Sequence, residues 1–225
     1  MADDELKKNV TKTGTATIGL MCKDGLIVAA DKRISLGDTH IISHKKADKV
    51  FKLIDNIVVT TAGNASDAQY VLKLARAELK LKEIRTKMQP TVKEAASLFA
   101  SILYGHIRQF STIIAMSHFL IGGKDNTGFR LFEATPDGCI FEHQNYVTSG
   151  AFGSMFIWTL LKEEWREDMT IAEGKELVIK VLRSAIEFDS SVGEPLNIVI
   201  IDKNGAGEIE EYAIPSEDAK QKSKK

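Results

Sequence analysis

The period of the hydrophobic pattern changes in blocks along this chain, and the order of the blocks constrains the fold more than any single motif. From Thr15 the chain reads TATIGLM, then a turn signal at Asp24-Gly25, then LIVAAD. That is a β-hairpin with high β-branched content. Further strands are expected at His40–Ser43, Lys49–Leu53 and Ile57–Ala62, with Asp55-Asn56 turning between the last two. The period then becomes helical. Ser66 is placed to cap a helix over about Asp67 to Thr86, whose stripe is Val71, Leu72, Leu74, Ala75, Leu79 and Leu81. Pro90-Thr91 opens a second helix to about Phe110, with Ala95, Leu98, Phe99, Ile102 and Leu103 on its apolar face. Both stripes read as core. Strands return at His118–Gly122, Phe129–Ala134 and Cys139–Val147, and Pro136-Asp137-Gly138 has the chemistry of a hairpin turn. Helices follow at Ser154–Trp165 and Thr170–Phe188, the second headed by the capping box Thr170-Ile171-Ala172-Glu173. Strands at Asn197–Ile201 and Glu208–Ala213, joined by Asn204-Gly205, close the chain.

Strand blocks separated by helix pairs predict an α+β fold: two antiparallel sheets packed face to face with a helix pair outside each, a four-layer α/β/β/α sandwich. No linker or repeat interrupts residues 15–214, so one domain is expected there, with a polar leader at 1–14 and a flexible, solvated tail at 215–225. Thirty basic and 31 acidic residues give a net charge of −1, which carries no electrostatic footprint for nucleic acid. No apolar run approaches the roughly 20 residues of a membrane span. The charged start lacks the apolar core of a secretory signal, so a soluble protein in the cytoplasm is expected, with the sequons at Asn9 and Asn64 unused. The two cysteines, Cys22 and Cys139, form no CxxC and read as buried free thiols. Walker, GxGxxG, HExxH and GxSxG motifs are absent, and no cofactor is expected. His40 and His44 are four apart in extended sequence, which does not set them on one face, so no metal site is expected from them.

One junction carries chemistry. At Thr13-Gly14-Thr15-Ala16-Thr17 a polar leader ending in glycine meets a threonine that begins the first core strand. If the leader were removed, Thr15 would be an N-terminal nucleophile with its own α-amine beside it. That amine titrates at about 7.7–8.0 and is a suitable general base for a hydroxyl that is a weak nucleophile unaided. A flexible tail ahead of a strand gives the same spacing.

Around that junction the chain resembles the β subunits of proteasomes, and the archaeal members most. The likeness runs through Thr15-Ala16-Thr17-Ile18-Gly19-Leu20, Lys23-Asp24-Gly25, Ala29-Ala30-Asp31-Lys32-Arg33 and Lys49-Val50-Phe51. It continues in Thr61-Ala62-Gly63, Ser66-Asp67-Ala68-Gln69, Ile121-Gly122-Gly123, Met169-Thr170, Ala172-Glu173-Gly174 and Asp189-Ser190-Ser191. The resemblance implies an N-terminal nucleophile hydrolase: a threonine endopeptidase made as a zymogen and cleaved autocatalytically between Gly14 and Thr15. Thr15 Oγ1 would attack, Lys49 would lower its proton affinity, and Asp31 would hold Lys49 by an ion pair. The Gly63 N–H would stabilise the oxyanion, and Asp189 would support the amine. Ile34, Thr61, Ala65 and Gln69 would line the specificity pocket, all of them neutral.

The resemblance also implies partners: α subunits, other β subunits in heptameric rings, unfolded polypeptide substrates, and an ATPase regulator reached through the α ring. Two positions depart from the family. Where it commonly has serines around the threonine amine, this chain has Ala151-Phe152 and Val192. Slower turnover is expected, and a hydroxyl restored at 192 is expected to speed it. The same departures fit an alternative, a catalytically weak or silent β subunit that serves the ring structurally.

Overall fold

The computed structural model describes residues 12–36, 41–111, 116–150 and 153–214. The strands are β1 (Lys12–Thr13), β2 (Ala16–Cys22), β3 (Gly25–Asp31), β4 (Ile34–Leu36), β5 (Ile41–His44), β6 (Val50–Ile54), β7 (Ile57–Asn64), β8 (Ser117–Asp125), β9 (Gly128–Ala134), β10 (Ile140–His143), β11 (Tyr146–Gly150), β12 (Leu196–Asp202), β13 (Gly205–Ala206) and β14 (Glu210–Tyr212). The helices are α1 (Ala65–Thr86), α2 (Val92–Ile107), α3 (Gly153–Glu164) and α4 (Ile171–Phe188). One six-stranded sheet runs β1-β7-β8-β9-β10 with β6 also on β7. The other runs β11-β2-β3-β12-β13 with β14 also on β12, and β4-β5 form a small ribbon.

Strand alternation sorts the side chains into layers. On β7, Ile57 and Val59 pack under α1 and α2 with Val71, Ala75, Phe99 and Phe119. Val58 points the other way and meets Leu26, Val28 and Val199 of the second sheet. On β2 and β3, Ile18, Leu20, Ile27 and Ala29 pack under α4 with Val178, Val181 and Leu182. These three clusters define the four layers that the block order predicts. In the first, Phe99 and Phe119 meet edge-on with centroids 4.9 Å apart, worth about 0.5–1.5 kcal/mol beyond burial.

The structure moves several expected boundaries. The cap of α1 is Asn64, whose side chain accepts from Ser66 N, and not Ser66 itself. Asn64 ends a strand in extended conformation, so its short amide can turn back over the first helical N–H groups. Leu81, expected in the stripe, lies on the exposed side of α1. The strand expected over Cys139–Val147 is two, β10 in the first sheet and β11 in the second, because the chain changes sheets at Gln144-Asn145. Period-2 alternation continues through such a crossing and cannot reveal it. Of the two thiols, both free, Cys22 is buried as expected and Cys139 is not. Cys22 is buried beneath α4, and burial pushes its pKa up to about 12. Cys139 is exposed in the turn before β10. Among the described residues no helix is long and apolar enough to cross a membrane, and no three His, Cys, Asp or Glu side chains gather as a metal site. The leader before Lys12, the tail beyond Ile214, His40 and the Ala151-Phe152 pair lie outside the described residues.

Candidate active site

The chain passes from one sheet to the other at the junction singled out by sequence. Thr13 pairs with Gly63 at the edge of the first sheet. Ala16 already pairs with Gly150 inside the second. Gly14 and Thr15 bridge the two sheets, so a cut between them would detach the leader strand and leave the core of the domain untouched.

Asp31 ends β3 opposite the start of β2, and its side chain is fully buried. Burying a carboxylate is costly unless its oxygens are satisfied, and here both are. Oδ1 accepts from Ala16 N at 3.1 Å and from Lys49 Nζ at 2.8 Å. Oδ2 accepts from Arg33 N at 2.9 Å and from Gly193 N at 3.1 Å. Lys49 stands just before β6, tied to β7 by Thr61 N donating to its carbonyl at 2.9 Å. Its side chain is 1% exposed. The ammonium also donates to Gly14 O at 3.0 Å, so it bridges Asp31 and the carbonyl of the junction peptide. Burial draws the Lys49 pKa below the ordinary lysine value; Asp31 opposes this, Arg33 adds to it and Asp189 weakly opposes it. A lysine eased toward neutrality and held against a carbonyl can both polarise that oxygen and exchange a proton.

Thr15 is fully buried, and its Oγ1 is buried without a hydrogen-bond partner among the described residues. An orphaned buried hydroxyl is costly and marks a functional position more readily than a structural one. Gly14 must be glycine for space: a Cβ there would stand 2.0 Å from Ser191 Cβ. Gly63 must be glycine for two reasons. Its φ is +104°, and a Cβ would meet Met116 O at 2.0 Å.

Asp189 caps the C-terminus of α4, with its N–H donating to Ala185 O. Its Oδ1 accepts from the N–H and the hydroxyl of Ser191. The junction, Asp31, Lys49 and the Asp189–Ser191 turn thus come together. The four pocket residues arrive from two directions. Thr61 lies on the helix-facing side of β7, with Ala65 and Gln69 one turn apart on the first part of α1. Ile34 comes from β4, which lies alongside β1. Thr61 is buried, Ile34 and Ala65 are half-buried, and Gln69 is exposed. A cavity of about 220 Å³ between the β6–β7 turn and α1 is lined by Leu53, Asp55, Asn56, Arg76 and Lys80, and by none of the predicted site residues.

Two features of the site escape the sequence reading. Ser149, one end of the stretch where the family places a serine, is engaged with Thr17: the two hydroxyls lie 2.8 Å apart, and Thr17 Oγ1 also reaches Ser149 O. Arg33 clamps the turn after α4, with Nη1 donating to Ser190 O at 2.8 Å and the guanidinium packed against Gly193. The Asp-x-Ser spacing at Asp189–Ser191 is a turn signal that could have located the second.

The chain is similar to known proteins over most of its length. The proteasome subunit family profile matches residues 11–201. Over 188 residues the chain is 36% identical to the proteasome subunit beta of Ferroglobus placidus, covering 84% of this chain and 86% of the relative. It is 34% identical over 205 residues to that of Archaeoglobus profundus, covering 91% and 92%. The subunit of Methanococcus aeolicus is 35% identical over 206 residues, covering 91% of each chain.

Proposed function

Because this chain belongs to the proteasome β-subunit family, whose members assemble with other subunits into a core complex, we propose that it is a peptidase subunit of that complex. In this reading it is made as a zymogen and matures by cutting its own Gly14–Thr15 bond. The observation that carries the reading is the Lys49 ammonium, bound at once to Asp31 Oδ1 and to Gly14 O beside the Thr15 hydroxyl, which has no partner among the described residues. In maturation Thr15 Oγ1 attacks the Gly14 carbonyl carbon, and Lys49 stabilises charge gathering on Gly14 O. The C–N bond breaks as the ester forms, the proton passes to Thr15 N, and water then hydrolyses the ester. The leader departs with a terminal carboxylate, and Thr15 keeps a free amine.

The mature site repeats this chemistry on a substrate peptide. The α-amine takes the Oγ1 proton, and Oγ1 forms an ester with the peptide's acyl part as the scissile C–N bond breaks and that proton passes to the departing amine. Water then hydrolyses the ester to a free carboxylate and restores the hydroxyl. The leader strand indicates how a substrate lies. It adds to β7 in antiparallel register, Lys12 opposite Asn64 and Thr13 opposite Gly63, so once it leaves, that edge can take an extended segment of unfolded polypeptide. Gly63 then supplies its N–H to the oxyanion, and Ile34, Thr61, Ala65 and Gln69 surround the residue before the cut. Their neutrality favours no charged side chain. Heptameric β rings, flanking α rings and an ATPase regulator complete the proposed assembly. The exposed Phe156 and Phe188, stacked with centroids 4.9 Å apart on the α3–α4 face, are apolar surface of the sort that assembly covers.

The test is the mass of the chain in assembled particles, together with labelling by a peptide epoxyketone that needs a hydroxyl and an adjacent amine. Wild-type chains should begin at Thr15 and take one label. Thr15→Ala, as the sole β subunit, should keep its leader and take none. Val192 favours a second reading, a ring subunit that does not cut, because it is apolar where the family has a serine. A leader intact in fully assembled wild-type particles would establish that reading instead.

A further inference from the structure

The turn after α4 brings to the junction a hydroxyl that the family resemblance leaves without a role. Ser191 is 7% exposed. Its Oγ donates to Asp189 Oδ1, and its N–H donates to the same oxygen at 2.9 Å, so the side chain is held from two sides. It lies directly against the junction, since a Cβ on Gly14 would stand 2.2 Å from Ser191 Oγ. The turn is latched to the end of β3. Arg33 Nη1 donates to Ser190 O, Gly193 N donates to Asp31 Oδ2, and Lys32 N donates to Gly193 O.

Resting on the reading of Thr15 as an N-terminal nucleophile, we infer that Ser191 is a positioning residue for the Thr15 α-amine. A serine hydroxyl has one proton to donate and two lone pairs to accept with. Its proton is already committed to Asp189, and its acceptor capacity adjoins the place of Gly14. Gly14 Cα and Thr15 N are bonded to the same carbonyl carbon. Cleavage therefore frees the amine close to Ser191 and removes the Gly14 atoms that pack against its side chain. The amine donates to Ser191, and Ser191 donates to Asp189. This two-step relay aims the amine's lone pair at Thr15 Oγ1 and stabilises the ammonium that forms when the hydroxyl proton arrives. Val192 takes no part, because its side chain is fully buried in the apolar cluster with Ala16, Ala185 and Leu196. The other charged groups around the amine are Asp31 from β3, Lys49 from before β6, Arg33 and Asp189. Replacing the Ser191 hydroxyl leaves the Asp31–Lys49 and Arg33–Ser190 contacts in place.

The variant Ser191→Ala, measured in whole assembled particles with a neutral fluorogenic peptide, tests this. Leader removal should proceed as in wild type, because Thr15 N is then still an amide. After maturation kcat should fall about tenfold, the scale of one hydrogen bond to a group that becomes charged, with KM within about twofold. The ascending limb of the kcat–pH profile should move to lower pH by about half a unit, because an ammonium without this acceptor gives up its proton more readily. A residue that only packs would leave that limb where it is. An unmoved limb, an unchanged kcat or a retained leader in Ser191→Ala would overturn the assignment. Wild-type particles that neither hydrolyse peptide nor label at Thr15 would overturn the nucleophile reading as well, which an indifferent Ser191→Ala in active particles would not.

Discussion

Two ion pairs join the end of β3 to the approach to β6, one residue apart and with their signs exchanged. Asp31 holds Lys49 at 2.8 Å, and both side chains are essentially sealed from solvent, 0% and 1% exposed. The next residue on one segment and the previous one on the other form the second pair, Lys32 with Asp48 at 2.9 Å, where Asp48 is 61% exposed. Extended chain sends neighbours to opposite faces, so the first pair turns inward to the junction and the second outward. The outer lysine also binds Glu211 at 2.8 Å, and Asn197 donates to Asp48. Water solvates the carboxylates of the outer pair, whereas Asp31 relies on three backbone N–H groups and Lys49. Burying charges costs several kcal/mol per ion before any attraction is counted, so the inner pair is poor at stabilising, and the function proposed above gives its position a use. The outer pair is a latch.

The largest effect expected from separating these roles is catalytic. Lys49→Ala should lower peptide hydrolysis by about a hundredfold to ten-thousandfold, the range of a positioned proton-transfer group. Asp31→Asn should also impair it strongly. Lys49→Ala further leaves Asp31 buried without its cation, at a cost of about 3–5 kcal/mol, so thermal unfolding of the isolated subunit should shift as well. The double variant Asp31→Asn/Lys49→Met should recover stability while remaining inactive. Near-normal turnover in Lys49→Ala would remove the inner pair from the chemistry.

The outer pair should show the reverse. Lys32→Met should cost about 1 kcal/mol, the scale of a partly solvated pair, with turnover within about twofold of wild type. Its pH dependence has a defined window. Burial works to lower the Lys32 pKa, but hydrogen bonds with Glu211 and Asp48 raise it above 10.5. Lys32, with Asn197, lowers Asp48 below 3.8 against its partial burial. A raised lysine loses its contribution as pH climbs through the folded value, and a depressed carboxylate loses its own as pH falls through the folded value. The stability difference between wild type and Lys32→Met should therefore hold between about pH 4 and pH 10 and shrink on both sides. A difference that varies across that range would mean that another group controls it.

The layers were legible in the sequence because period 2 and period 3.6 are written into side chains that must be buried, as in Ile57, Val59 and the stripe from Val71 to Leu79. The sheet change between β10 and β11 was not, since alternation is indifferent to which sheet a strand joins. At the site, the Thr15 junction could be read from chemistry, whereas Asp31, Lys49 and Gly63 rested on family resemblance. Nothing local in Asp31-Lys32 and Asp48-Lys49 tells which acid pairs with which lysine. That choice is made by the register of β2 on β3 and by the tie between Lys49 and Thr61.

A catalytic effect as small as that of Lys32→Met is expected at Val192, where sequence alone predicts a gain. Read by resemblance, Val192→Ser restores a missing hydroxyl and speeds turnover. The structure places this side chain at 0% exposure among Ala16, Ala185 and Leu196, on the apolar side of the turn. A hydroxyl there would be buried without a charged partner, unlike the Asp31 and Lys49 groups nearby. The change removes apolar volume and strands a polar atom, together about 2 kcal/mol. It leaves the Ser191–Asp189 contact untouched. The expected result is a lower unfolding temperature with kcat within about twofold of wild type. A several-fold rise in kcat from Val192→Ser particles that have shed their leader would show that the turn rotates to present residue 192 to the amine. The layer beneath Thr15 would then accept polar groups more freely than the fully bonded Asp31 implies.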